Sequence, residues 1–410
     1  MERKKTSRIC NYQNGIVLMM FFTFGIVFME RLSVVFLFPF INEDLHLTNT
    51  QMGLIASTLA ISWALGGYIF SSVSDLIGSS KKVLVPAAFV FSFCTIVSGL
   101  ARNFATLVFA RALMGISEGP VLPIAQATIA KESTPNRRGL NAGIVQGSSQ
   151  LIGATLTPLI VTALAVKFSW QVAFFVISVP GFIMALILWL FMRDHKPSEG
   201  TAKKKKISWE EYSKVFKERN IWLCVIISMF FMTWLFVYTT FAPTYLVEVG
   251  YTPSQMSVIM SGIGLGSFLW MILLPVISDK LGRKPTLIVC SFIAVFSPLI
   301  LGYFHFSTTT MFFLMFLITT GTGIFPLFMA VIPGESLPIG VVATAIGLIQ
   351  LVGEIIGGSI GPTFAGIMAD SYGLTAPLWI AAVGALVCSI VGFGLKETAP
   401  NKVKKEKRAA

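Results

Sequence analysis

The chain is short of the residues from which enzymes build active sites. Charged side chains make up 12% of its 410 residues, against roughly 25% in ordinary soluble domains. Its three histidines, His46, His195 and His305, fall in loops or at the ends of apolar runs, so they form no catalytic or metal-binding cluster. Five cysteines, Cys10, Cys94, Cys224, Cys290 and Cys388, have neither metal nor redox spacing. Four of them lie in apolar segments, where small buried hydrophobes are expected. A Gly-x-x-x-x-Gly-Lys run that could cradle a nucleotide phosphate is missing, which argues against ATP-driven chemistry. No nucleophile–base pair stands out, so an enzyme is the least favoured class and no cofactor or metal is expected. A secretory signal is also missing, because the first apolar run is too long and has no small-residue cleavage site.

What the chain has instead is apolar length. Hydrophobic residues reach 55% and the mean hydropathy is +0.78. A helix needs about 20 mostly apolar residues to cross a bilayer. Twelve segments qualify, near 15–40, 50–73, 83–101, 104–130, 139–165, 170–192, 220–247, 253–277, 285–304, 308–332, 340–369 and 374–395. Strands are disfavoured, since open sheet edges cannot face lipid and barrel strands give short alternating signals. The expected fold is therefore an all-α membrane protein of twelve transmembrane helices, multi-pass in the cell (plasma) membrane.

The net charge of +12 could suggest nucleic acid, but its placement argues for topology. Apart from Arg31, Arg111, Arg102 and Lys167, every Lys and Arg falls at the N-terminus, in every second loop or in the C-terminal tail. This is the positive-inside pattern, and it places both termini in the cytoplasm. The partners implied are lipid and small solutes, with no nucleic acid, and the chain is expected to act as a monomer.

The longest polar stretch divides the chain into an N-terminal six-helix bundle (1–192), a linker (193–219) and a C-terminal bundle with a basic tail (220–410). In the linker, Lys203 to Lys206 precede a helical apolar period at Trp209, Tyr212, Val215 and Phe216. The expectation is a short amphipathic helix on the cytoplasmic membrane surface, next to lysines that either favour anionic lipid or are simply solvated. The two halves echo each other. Ser74-Asp75-Leu76-Ile77-Gly78 follows the second span, and Ser278-Asp279-Lys280-Leu281-Gly282-Arg283-Lys284 follows the eighth. Such repeats mark carriers built from related bundles that rock around a midplane site.

Asp-x-x-Gly followed by basic residues in this loop resembles the signature of the major facilitator superfamily, over all twelve spans. The second copy, with Asp279, Gly282, Arg283 and Lys284, is close to the usual form. The first departs from it: Ser71 stands for a Gly, Leu76 for an Arg, and the basic pair is displaced to Lys81 and Lys82. The resemblance implies two pseudo-symmetric six-helix bundles, with Asp75, Lys81, Asp279 and Arg283 in a cytoplasmic gate latch. Glu335, in Pro333-Gly334-Glu335-Ser336, reads as a further gate residue on that side.

Charges at membrane depth are costly, and those that persist normally face a protein interior or a water-filled path. Glu30 adjoins Arg31, and Glu118 follows Arg111 by two helical turns on one face. Arg111-Ala-Leu-Met-Gly115-Ile-Ser-Glu118-Gly-Pro120-Val-Leu-Pro123 is followed by Pro135-Asn136-Arg137-Arg138-Gly139, then by Gly143, Gly147, Gln150, Gly153 and Pro158. This run resembles the anion:cation symporter family, which includes sialin, the vesicular glutamate transporters and galactonate and hexuronate carriers. The resemblance implies that Arg31 contacts the substrate carboxylate and that Glu30 and Glu118 take part in proton coupling. Arg111 would support Glu118, and Gln150 would bond substrate hydroxyls. The chemistry agrees: an Arg offers a planar fork of donors to a carboxylate and stays charged at depth. A buried Glu responds to both desolvation and nearby cations, so a moving anion changes its proton affinity. Pro120 and Pro123 should loosen the helix beyond Glu118. The other reading is that these four charges are ion pairs that only hold helices together.

Further candidates carry weaker signals. Glu354, in Gln350-Leu-Val-Gly353-Glu354-Ile-Ile-Gly357-Gly358, reads either as a third protonatable site or as an anchor for packing. Phe28 and Trp63 stand where sugar-acid carriers of the family have more polar aromatics, which makes the expected pocket more apolar. The alternative is that they are ordinary packing aromatics. In the seventh span Tyr238, Thr239 and Thr240 precede Pro243-Thr244-Tyr245-Leu246, which resembles the family's Pro-x-Tyr-Leu segment, and Tyr238 and Thr240 are candidate substrate contacts. Glycines 143, 147 and 153, and 353, 357, 358 and 361, are spaced for close helix approach. The function expected is proton-coupled uptake of a small organic anion, a sugar acid or other carboxylate, by alternating access. One alternative is an antiporter exporting drugs or metabolites. It is disfavoured because the fifth span lacks the Gly-x-x-x-Gly-Pro-x-x-Gly-Gly segment common in such exporters. The other is a non-transporting membrane sensor, for which no extra soluble domain is present.

Overall fold

The structure is a computed structural model, described here for residues 2–134, 137–193, 213 and 215–402. Among these residues every regular element is helical, and twelve helices are long and apolar enough to cross a membrane. Spans one to six are Tyr12–Leu45, Asn49–Ser74, Ser80–Gly99, Phe104–Glu132, Arg138–Lys167 and Trp170–Phe191. Spans seven to twelve are Arg219–Glu248, Pro253–Leu281, Arg283–Tyr303, Thr308–Ser336, Thr344–Tyr372 and Thr375–Gly392. All twelve coincide with the apolar segments of the sequence. Of the expected surface helix of the linker, Lys203 to Lys206, Trp209 and Tyr212 lie outside the described residues, while 213 and 215–217 are helical, with Val215 buried and Phe216 exposed; the tail beyond Lys402 also lies outside.

Local chemistry starts the helices where the apolar runs begin. Ser79, Asn103, Ser169, Thr252 and Ser307 are N-caps whose side chains accept from amides one turn on. Thr252 and Gln255 complete a reciprocal capping box. The glycine of each Asp-x-x-Gly copy has a left-handed backbone, φ +69° at Gly78 and +111° at Gly282, which L side chains rarely adopt. That explains why both copies keep it. Large apolar side chains such as Phe93, Phe109, Trp189, Val289 and Phe313 are exposed along the spans, as expected for faces turned to lipid.

The chain forms two compact units. The first comprises Met1–His46 and Thr58–Gly200; the second comprises Leu47–Ser57 and Thr201–Ala410. Leu47–Ser57, the start of span two, belongs with the second unit. There Asp370 accepts from the backbone amides of Asn49 (2.8 Å) and Thr50 (2.9 Å) and so caps their helix.

Four spans depart from regular α-helix, two in each unit. Span four breaks at Gly119-Pro120, between helices Phe104–Glu118 and Val121–Glu132. Span five has a π-helical segment at Ser149–Leu156. In the second unit, span ten passes through Thr319–Ile324 (3-10) and Leu327–Val331 (π), and span eleven is π-helical over Glu354–Ile360. The wider π-helical turns are of a kind frequently found at functional sites. Asp75 and Asp279, Gly78 and Gly282, Gly143 and Gly347, Gly153 and Gly357, and Pro158 and Pro362 all stand at one common offset. That register runs through the π-helical segments of spans five and eleven and pairs Gln150 with Glu354.

Candidate functional site

Close helix contact assembles the site in the first unit. Gly115 and Gly119 of span four lie against span two so tightly that a Cβ on either would collide. For Gly115 the clash is with Ser62 and the Leu59 carbonyl; for Gly119 it is with the Trp63 carbonyl and Gly67. The crossing brings the end of helix Phe104–Glu118 beside Trp63. Gly153 of span five sits equally close to Phe28 of span one. Of the glycines expected to pack helices, Gly153, Gly353 and Gly357 do so, but Gly143 does not. A Cβ at Gly143 would meet nothing within 4 Å, because this turn of span five has no neighbour there.

Adjacent residues on a helix point about 100° apart, and Glu30 and Arg31 accordingly enter different surroundings. The Glu30 carboxylate is fully buried between spans one and three. Ser92 donates to its Oε1 (2.9 Å) and Thr95 donates to its Oε2. Span six closes over it at Gly181, where a Cβ would strike both Ser92 and Glu30. Arg31 instead lies against two rings, its guanidinium carbon 5.5 Å from the Phe28 centroid and 5.4 Å from that of Trp63. Such contacts hold an arginine in place. Phe24 packs edge-on to Phe28 at 5.0 Å and fixes that ring in turn.

Arg111 is fully buried and reaches span one. Its Nη1 donates to the carbonyls of Glu30 (3.4 Å) and Arg31 (3.2 Å), and contacts the Met114 sulfur at 3.2 Å. It thereby ties span four to the stretch of span one that carries both charges. Glu118 is also fully buried and interacts electrostatically with Arg31 and Arg111. Neither of its carboxylate oxygens has a hydrogen-bond partner among the described residues, nor do Nε and Nη2 of Arg111. Gln150 is half-buried and opens the π-helical turn of span five.

The candidates of the second unit have different surroundings. Tyr238, expected as a substrate contact, is closed into helix packing. Its hydroxyl lies on the Met315 sulfur at 3.3 Å and its ring stacks on Trp234, 6.1 Å between centroids. Thr240 is buried as well. Glu354 is buried at the start of the span-eleven π-helix, against Gly358.

A second charge cluster ties the ends of spans eight, nine and ten together. Arg283 bridges Asp279 (2.5 Å) and pairs in bidentate fashion with Glu335, Nη2–Oε1 3.0 Å and Nε–Oε2 3.3 Å. Thr398 also donates to Glu335, at 2.7 Å. Glu397 accepts from the amides of Arg283 (2.8 Å) and Lys284 (3.2 Å). In the first copy of the loop, Lys81 is half-buried and Leu76 is 85% exposed; the Asp75 side chain lies outside the described set. Sequence reading missed Ser92, Thr95, Glu397 and Thr398. Ser92 and Thr95, three apart in an apolar span, were a usable signal for the first two. The Glu-Thr-Ala-Pro run at 397–400 carried none by itself.

A family model described as the Major Facilitator Superfamily matches residues 19–362. The chain belongs to that superfamily. A hexuronate transporter of Bacillus subtilis is 27% identical over 398 residues, 91% of this chain and 92% of the relative. The sialic acid transporter NanX of Escherichia coli is 26% identical, covering 92% of each chain. Both agree with the resemblance to the anion:cation symporters. Among solved structures, a bacterial homologue of the human lysosomal transporter Spinster superposes with a TM-score of 0.75 at 18% identity, covering 93% of this chain and 96% of its own. This superfamily member is a multi-pass membrane transporter and not an enzyme.

Proposed function

We propose that the chain is a proton-coupled carrier that takes up a small organic anion by alternating access, with both termini in the cytoplasm. Arg31 holds the carboxylate. Glu118 is the principal proton site, Glu30 a second one, and Arg111 fixes the backbone that presents Glu30 and Arg31. The observation that carries this reading is the state of Glu118. It is wholly buried, electrostatically engaged with two arginines, and without a hydrogen bond to either oxygen among the described residues. A purely structural buried ion pair needs its remaining lone pairs and protons satisfied to repay desolvation. A carboxylate left like this responds strongly to whatever enters beside Arg31. The relatives named for hexuronate and sialic acid support a carboxylate substrate.

Glu354, the repeat partner of Gln150, supplies a third protonatable group in the second unit. Asp75, Lys81, Asp279, Arg283 and Glu335 serve the cytoplasmic gate. Import of a monovalent anion with more than one proton carries net positive charge inward, so both the proton gradient and the negative interior drive it. A thermal-shift screen of the purified protein against carboxylic acids tests the reading. A stabilising acid whose effect disappears in Arg31→Ala is expected. Unchanged affinity in that variant would place the anion elsewhere.

A further inference from the structure

The surroundings of Arg31 narrow the acid further. Two aromatic rings, Phe28 and Trp63, lie against the guanidinium, and Gly153 leaves no room between span five and Phe28. The Trp63 indole N–H is buried and has no partner among the described residues; Gln150 is half-buried. The hydroxyls that lie nearest Arg31, Trp63 and Glu118 in sequence are committed to their own helices. Ser33 donates to the Glu30 carbonyl, Ser62 to those of Thr58 and Leu59, and Ser117 to that of Met114. Each has given up its single proton and keeps only acceptor capacity.

A polyhydroxylated acid must place four or five hydroxyls, and every one buried without a partner weakens binding. A flat acid with few hydroxyls makes no such demand, and its apolar faces gain from the rings. We infer that the anion held at Arg31 is an aromatic or otherwise planar unsaturated monocarboxylate rather than a polyhydroxylated sugar acid, with Phe28 and Trp63 as the residues that set this preference. This rests on the anion-site reading above. The Trp63 N–H and the Gln150 amide leave room for about one further acceptor on the ring, such as a ring nitrogen or a single hydroxyl.

The test measures binding of benzoate, nicotinate and glucuronate to the full-length purified protein. It uses the wild type, Arg31→Lys, and the double variant Phe28→Tyr with Trp63→Tyr. The wild type should bind benzoate or nicotinate at least about tenfold more tightly than glucuronate, within the range by which a polar-group mismatch alters selectivity. The double variant, which adds two hydroxyls while keeping two rings, should move that ratio by about tenfold toward glucuronate. A ratio taken within one sample does not depend on how much of a variant is folded. Arg31→Lys should weaken every acid that binds. Glucuronate binding as tightly as the planar acids, still dependent on Arg31, would overturn this inference and leave the anion site standing. Binding of none of the acids, or binding indifferent to Arg31→Lys, would overturn the anion site and this inference with it.

Discussion

The charge clusters of the two units lie in different places, although the second unit also keeps one buried carboxylate, Glu354, within a span. In the first, Glu30, Arg31, Arg111 and Glu118 lie at membrane depth, and hydrogen bonding is incomplete at Glu118 and at part of Arg111. In the second, the cluster of Asp279, Arg283, Glu335 and Glu397 lies at helix ends, and both oxygens of Glu335 and of Glu397 are used. The shared register makes the contrast residue by residue. Trp234 stands for Glu30, Leu235 for Arg31, Met315 for Arg111 and Thr322 for Glu118. Trp234 fills its slot with an indole packed on Gly321, where Glu30 sits under two hydroxyls. A saturated network holds its elements in one arrangement. An unsaturated buried one still has partners to gain, and that is what a binding and coupling site requires.

Substitutions on the two sides should therefore separate binding from structure. Arg31→Ala should weaken acid binding by about two orders of magnitude, the scale of truncating one partner of a desolvated charge pair. Arg283→Ala should leave affinity within about threefold while slowing uptake, because it removes the pairs with Asp279 and Glu335 and none of the proposed ligand contacts. Equal losses of affinity would break the comparison. Next in size, Gly119→Val forces a side chain into the Trp63 backbone and should destabilise the protein by about 1–3 kcal/mol, read as a lower Tm. Gly143→Ala, at an open position, should stay within about 0.5 kcal/mol of wild type. Glu335→Gln should have the smallest effect of the charged set, a modest fall in uptake rate with unchanged affinity, since the pair is partly exposed.

The architecture was legible in the sequence because bilayer thickness dictates span length and lipid dictates helix. All twelve segments follow from those two constraints. The four intramembrane charges were legible for the same reason, being conspicuous in apolar surroundings. How they are partnered was not. The residues satisfying Glu30 come from span three, and helical spacing within span one says nothing about which neighbour it meets. Arg111 could be placed on the Glu118 face of its helix, yet its Nη1 contacts are backbone carbonyls of span one, groups that no side-chain motif announces. Tyr238 was legible as a polar residue in an apolar span, but the thioether of span ten that its hydroxyl meets was not. The π-helical turns were also hidden, since glycine spacing signals close approach without stating helical pitch.

The central claim is that Glu118 links anion movement to protons, and Glu118→Gln in proteoliposomes tests it most directly. The variant keeps shape and burial but can no longer exchange a proton. With an imposed inward proton gradient it should fail to concentrate the acid above the external level, while still exchanging internal for external acid. Full gradient-driven accumulation by Glu118→Gln would contradict the account.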